Sequence, residues 1–357
     1  AVTGSVGKTT VKDMAVAALS AFGSCGRSPG NWNNDIGVPL SLFALEGSER
    51  HVVLELGMSA PGEIADLTEM VRPDVGLVTT AAAAHLEFFE SVEAIADAKA
   101  ELYESLPSTA IAVACADDHR VLRRANALAG DRLVTYGLHP NAQIRVTEIE
   151  LSAQGLTTTI DVDGHLVTVR LKALGRHNAV NAAGALAIVH ALGHDTHLAA
   201  QALSERFESS AHRLTLLESP HGVRILDDCY NANPTSTAAA LRTLEEIAPG
   251  AKRAAVIGSM LELGATSAAL HREAGALAAT TGLVWLGATG PFAADIAAGA
   301  REAGLEAVIA VEDAMELQSA LRANLTSEHW LLLKGSRGQR LERLLRVLDL
   351  DERGGNA

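Results

Sequence analysis

The opening residues Thr3-Gly4-Ser5-Val6-Gly7-Lys8-Thr9-Thr10 combine the residue types that grip a phosphate. Glycines let the backbone turn its N–H groups toward an anion, Lys8 supplies a cation, and the Thr9 hydroxyl can ligate Mg²⁺ where a helix begins. The chemistry implied is the holding of a nucleotide triphosphate. The general phosphate-loop pattern has a further glycine five positions before Gly7, and Val2 stands there instead, so the signature is a shortened one. A glycine-rich strand-to-helix turn with an incidental lysine is the structural alternative. The amphipathic run that follows, Val11, Met14, Ala15, Ala18 and Leu19, supplies the helix that the phosphate-binding reading requires.

Other residues able to do chemistry stand where apolar runs end. Glu55 closes His51–Leu56 and His85 follows Val75–Thr79. Carboxylate, hydroxyl and imidazole together could hold magnesium, the imidazole suggesting a second metal position. Singly, Glu55 could be a polar strand end and His85 an ordinary satisfied histidine. Lys99 lies within a helical pattern, either as a solvated lysine or as a ligand and phosphate partner. Asp227-Asp228-Cys229-Tyr230-Asn231-Ala232-Asn233-Pro234 is a strand end rich in acids and amides, equally suited to plain helix capping. Lys334-Gly335-Ser336-Arg337-Gly338 forms a second cationic, glycine-lined stretch suited to an anion. Two anion-binding edges imply a cleft whose closure would exclude water from a phosphorylated intermediate.

These residues need a scaffold, and composition bounds it. The chain has 357 residues, 48% of them hydrophobic, enough for more than one cored domain. Its net charge of −14, from 43 acidic and 29 basic residues, disfavours sequence-independent nucleic-acid binding. Cys25, Cys115 and Cys229 are far apart and unpaired in spacing, which argues for a reducing compartment, the cytoplasm by default, and against a zinc ribbon. No apolar run reaches membrane-spanning length. The chain starts almost on the phosphate loop without an initiator Met, so further sequence is expected upstream.

Short buried strands alternating with helices as far as Tyr136 predict a doubly wound α/β sheet carrying its ligand at the strands' C-terminal ends. From Ile144 to Leu171 the pattern alternates apolar and polar, with Asp163-Gly164 as a hairpin turn, predicting a small antiparallel sheet at the domain edge. Helices near His177–Leu192 and Leu198–Phe207 follow. A second strand–helix series then predicts a second Rossmann-like α/β domain. The division is placed at 1–208 and 209–357, with a hinge near residue 210.

Taken in order, these segments resemble the Mur ligase family over essentially the whole chain. The matching residues are Thr3–Thr10, Asn33–Pro39, Glu55-Leu56-Gly57, Pro61–Ile64, Ala83–Glu87 and Arg176-His177-Asn178 with Asn181. In the second half they are His212-Arg213, Asp227–Pro234, Met260–Gly264 with His271, and Lys334–Gly338. Within the family the resemblance is to the branch that adds D-alanyl-D-alanine to UDP-N-acetylmuramoyl-tripeptide, a step of peptidoglycan precursor synthesis.

The resemblance implies an ATP-dependent peptide ligase using ATP and two Mg²⁺ ions and passing through an acyl phosphate. Gly4 to Thr10 would hold the phosphates, with Lys8 on the β and γ groups. Thr9 and Glu55 would bind one Mg²⁺. His85 would bind the second with Lys99, if Lys99 matches the family's carbamylated lysine; Lys8, His85 and Lys99 are the catalytic candidates. Asn178 and Asn181 would contact adenine, and Arg213 and Asp228 phosphate and ribose. Asn33, Asn34, Tyr230, Asn231, Lys334 and Ser336 are the substrate-side candidates, the last two near the dipeptide. A cytoplasmic monomer is expected. The family's UDP-binding N-terminal domain finds no match here, so activity of this chain is expected to be weak and restored by upstream residues. Ser59-Ala60 stands where the family has Asn-His.

The alternatives are a Mur-like ATP-binding module without ligase activity and another amide ligase of the superfamily. The Asp-Asn-Pro-Arg of the ligase adding the third residue, the Asp-Gly-Ala-His-Asn of folylpolyglutamate synthases and the Asn-Lys-x-Asp of GTPases do not occur.

Overall fold

A computed structural model describes residues 1–83 and 86–351. The chain clusters into two compact units. The first comprises Ala1–Glu150, Gly155–Lys172 and Arg176–Glu208; the second comprises Leu151–Gln154, Ala173–Gly175 and the residues from Ser209 on.

In the first unit, β1 (Val2–Thr3) leads through the phosphate loop into α1 (Lys8–Leu19), followed by β2 (Cys25–Arg27), α2 (Gly37–Phe43), β3 (His51–Val53), α3 (Glu63–Val71) and β4 (Val75–Val78). Then come α4 (Val92–Glu104), β5 (Ile111–Cys115), α5 (His119–Ala129), β6 (Leu133–Gly137), β7 (Ile144–Ser152), β8 (Gly155–Val162), β9 (His165–Leu171), α6 (His177–Ala191) and α7 (Thr196–Arg206). The β4 residues are buried throughout, as expected of a parallel strand covered on both faces. Local side chains set the helix starts: Ser91 Oγ accepts from Ala94 N at 3.1 Å, and Asp118 and Asp195 cap α5 and α7.

One seven-stranded sheet runs β1-β4-β5-β6-β7-β8-β9. The alternating strands β7, β8 and β9 therefore extend the main sheet instead of making a separate small one. β7 joins parallel to β6, and β8 returns antiparallel as β9 through Asp163 (φ 49°) and Gly164 (φ 85°), the left-handed pair that a tight hairpin needs. Cys25–Arg27 forms β2, a short strand that pairs in parallel with β3 outside the main sheet. The polar stretch Asn31–Asp35 leads into α2, whose Leu40 and Phe43 are exposed, as is Ile36 at its N-cap.

In the second unit the order is β10 (Thr215–Glu218), β11 (Arg224–Asp228), α8 (Pro234–Ile247), β12 (Lys252–Gly258), α9 (Ser267–Thr280), β13 (Leu283–Thr289), α10 (Ala293–Glu302), β14 (Val308–Val311), α11 (Gln318–Asn324) and β15 (His329–Lys334). The sheet runs β10-β11-β15-β12-β13-β14, parallel except for the edge strand β10. Its central strands feed two cores. Along β15, Leu332 joins the cluster of Leu241, Leu244 and Leu286, while Leu331 and Leu333 join that of Val256, Leu317 and Leu345. Successive side chains point to opposite faces, so an unbroken leucine run is what a doubly covered strand requires.

Candidate active site

The phosphate loop is shaped by two glycines that nothing else could replace. Gly4 has φ 143°, and a Cβ there would lie 1.8 Å from Thr79 Oγ1, the hydroxyl that donates to Val6 O at 2.6 Å. Gly7 is the N-cap of α1 at φ 90°, and a Cβ on it would meet Asn181 Oδ1 at 2.8 Å. A glycine cap brings no side-chain acceptor to the helix's first N–H groups, which suits that end to an anion. Lys8 Nζ donates to Gly4 O at 2.7 Å, folding its cation back over the loop.

Beside the loop, Val2 bridges Glu55, which places that carboxylate against the start of α1. Glu55 is 2% exposed. Its Oε2 accepts from Thr9 Oγ1 at 2.7 Å, its Oε1 from Asn33 Nδ2 at 2.8 Å, and its backbone N–H donates to Ser28 Oγ at 3.1 Å. Hydroxyl and carboxylate oxygens at this separation form the hard donor set that Mg²⁺ favours. Asn178 and Asn181, both buried, sit on the first turns of α6, with Asn181 Nδ2 donating to Asn178 Oδ1 at 2.9 Å.

Lys99, on the inner face of α4, is 2% exposed, and no described carboxylate forms an ion pair with it. Burial, with the neighbouring Lys8 charge adding, pushes its ammonium well below the usual lysine range. The group is therefore biased toward the neutral, nucleophilic amine. His85 lies outside the described residues.

Asn33 and Asn34 prove to have local partners. Asn33 is spent on Glu55, and Asn34 Oδ1 accepts from Gly37 N at 2.8 Å, opening α2. Sequence reasoning did not single out Thr79 or Lys12. Lys12, 1% exposed, donates to Ser28 O at 3.0 Å and Gly30 O at 2.8 Å, tying α1 to the segment that supports Glu55. Its place on the inward side of an amphipathic helix was the available signal.

In the second unit, sheet register sets Asp228 opposite Lys334. Their side chains meet at 2.6 Å, and Lys334 Nζ also donates to Asn231 O at 2.7 Å. The anticipated lysine of an anion cradle is thus held by a buried aspartate. Burial raises the Asp228 carboxyl above its ordinary range, the lysine partly offsetting this. Ser336 Oγ accepts from Leu261 N at 3.1 Å, and Arg213 stacks over Tyr230, 4.3 Å from the ring centre. His212 Nδ1 lies 2.7 Å from Asp227 Oδ2, and Cys229 Sγ donates to Asp227 Oδ1 at 2.8 Å. His271 accepts from Met260 N at Nε2 (2.7 Å) and contacts Ser267 O through Nδ1 (2.6 Å), which defines a neutral imidazole with its proton on Nδ1.

The described part of this arrangement can hold a nucleotide's phosphates and one hard cation in the first unit. The profile of the Mur ligase middle domain matches residues 2–189, and that of the Mur ligase glutamate ligase domain matches residues 212–337. The UDP-N-acetylmuramoyl-tripeptide-D-alanyl-D-alanine ligase of Bacillus subtilis (strain 168) is 33% identical over 97% of this chain and 75% of its own length. That of Escherichia coli (strain K12) is 35% identical over 98% of this chain and 76% of its own. Among solved structures, MurF from Acinetobacter baumannii superposes with a TM-score of 0.89 at 29% identity, covering 97% of this chain and 75% of that one. MurF from Thermotoga maritima in complex with ADP gives 0.86 at 28%, covering 97% and 78%. With both family profiles matched in order over the two units, and relatives of this extent, the chain belongs to the Mur ligase family.

Proposed function

We propose that this chain uses ATP to join D-alanyl-D-alanine to the terminal carboxylate of UDP-N-acetylmuramoyl-tripeptide, through an acyl phosphate, in the assembly of peptidoglycan precursors. The relatives named above carry that activity in their names. The observation that carries the reading is the trio Lys8, Thr9 and Glu55, assembled at a glycine-capped helix start.

A peptide carboxylate is a poor electrophile. One of its oxygens attacks the γ-phosphorus of ATP, the bond to ADP breaks, and the carboxyl becomes an acyl phosphate. The amine of D-alanyl-D-alanine then attacks the acyl carbon. A C–N bond forms, the C–O bond to phosphorus breaks, and phosphate and the amine's proton leave. Loop N–H groups and Lys8 orient the phosphates and counter the charge that builds on the transferring group. Thr9 and Glu55 would hold one Mg²⁺, whose role is to neutralise phosphate oxygens. Asn178 and Asn181 are assigned to adenine, Arg213 and Asp228 to phosphate and ribose, and Tyr230, Asn231, Lys334 and Ser336 to the substrate side. A neutral Lys99 amine can add CO₂ with loss of a proton, becoming a carboxylate that with His85 would serve a second Mg²⁺.

Phosphate release is the test. It is expected only when Mg-ATP, the UDP-linked tripeptide and the dipeptide are all present, and to stop on omission of any one. Phosphate release that is indifferent to the dipeptide would contradict the reading.

A further inference from the structure

The second unit holds a cluster that the ligase reading does not use. His212 Nδ1, an Asp227 carboxylate oxygen and Cys229 Sγ all lie within 4.8 Å of one another. From these three donors we infer a binding site for a thiophilic divalent cation of the Zn²⁺ class, separate from the Mg²⁺ position at Thr9 and Glu55.

The donor chemistry selects the ion. Imidazole, carboxylate and thiolate together suit zinc and its soft relatives, whereas magnesium takes oxygen ligands in a near-octahedral shell. The spacing suits it as well. Tetrahedral zinc, with bonds of about 2.0–2.3 Å, sets its ligands roughly 3.3–3.6 Å apart, and Cys229 Sγ already stands 3.6 Å from His212 Nδ1. The Asp227 oxygens are closer, at 2.7 and 2.8 Å, because protons now bridge them to the other two groups. A cation replaces those bridges: the thiol proton leaves, and His212 offers Nδ1 as neutral imidazole with its remaining proton on Nε2. A carboxylate shift of about half an ångström then completes three-ligand coordination. The His212 side chain is 13% exposed, leaving a side from which the ion enters and water supplies the fourth ligand.

A second observation favours positive charge here. Glu342 is buried, and its Oε2 has no hydrogen-bond donor among the described residues. Its negative charge is felt at both His212 and Cys229. Arg337 Nη1 stands 3.8 Å from the other oxygen, Oε1, so a cation among the three donors would add to the positive charge facing this carboxylate and would offset the oxygen that has no hydrogen-bond donor among the described residues.

Cobalt reports the site directly, because thiolate ligation gives an intense charge-transfer band. Reduced whole protein titrated with Co²⁺ alone is expected to develop that band to one equivalent, and Zn²⁺ but not excess Mg²⁺ to abolish it. Cys229→Ser should remove the band, while Cys25→Ser, altering the thiol that is not fully buried, should retain it. Should the serine variant fail to fold, as judged by its melting transition, His212→Ala decides through Zn²⁺ affinity, with a loss of at least tenfold expected. A wild type without the band, a band that survives Cys229→Ser, or unchanged Zn²⁺ affinity in His212→Ala would overturn the site.

Discussion

Both carboxylate oxygens of Glu55 are already engaged, one by the Thr9 hydroxyl and one by the Asn33 amide. Asn33 thus fixes the rotamer of the carboxylate proposed to hold Mg²⁺, and the partners of metal ligands commonly cost 10–100-fold in metal affinity when removed. Asn33→Ala is expected to raise the Mg²⁺ concentration needed for half-maximal ATP binding by about tenfold with little change in fold, read by calorimetry at several Mg²⁺ levels. For Lys99, ¹³C-labelled bicarbonate should give a carbamate resonance in wild type that is missing in Lys99→Met, and activity should fall at least a hundredfold, about 2.7 kcal/mol of barrier. His271 makes a prediction about pH. Burial holds its imidazole below the ordinary value of 6.5, and Met260 N–H needs Nε2 unprotonated. The unfolded chain binds that proton first as pH falls, so the contribution is complete above about pH 6.5 and is lost as pH drops through the folded value. Urea unfolding is expected to show stability declining below about pH 6.5 by at most about 1.4 kcal/mol per unit, with a smaller slope in His271→Gln.

At the scale of elements, the loop and α1 were legible because the chemistry sits in consecutive residues and the helix follows at once. Asn33 and Glu55 were legible separately, yet their pairing was not, since 22 positions separate them. The same holds for Asp228 and Lys334, which meet only through the register of β11 on β15. β2 escaped notice because Cys25-Gly26-Arg27 has neither apolar alternation nor β-branched residues. The edge hairpin was read correctly as strands, but its joining of the main sheet depends on where β6 leaves an open edge, which periodicity does not encode. Gly4→Ala tests the loop itself. A Cβ 1.8 Å from Thr79 Oγ1, on a backbone at φ 143°, forces the loop to move. Loss of measurable ATP binding is expected, and tight binding by this variant would show that the loop does not set the site.

For the molecule as a whole, composition was informative about class and silent about chemistry. A net charge of −14 means that an anionic ligand must be met by placed cations, and among the described residues these include Lys8 at the loop, Arg213 and Arg337 over Tyr230, and Lys334 paired with Asp228. Family membership follows from the succession of segments along the chain more than from any one of them. The proposed consumption of ATP to activate a carboxylate is read directly by one isotope experiment. With ¹⁸O in the terminal carboxylate of the UDP-linked tripeptide, the bond broken when the amine attacks lies between acyl carbon and bridging oxygen. One labelled oxygen should therefore appear in each phosphate released alongside amide product, a ratio that does not depend on how fast the chain turns over. Amide product accompanied by unlabelled phosphate would rule out an acyl phosphate on this chain.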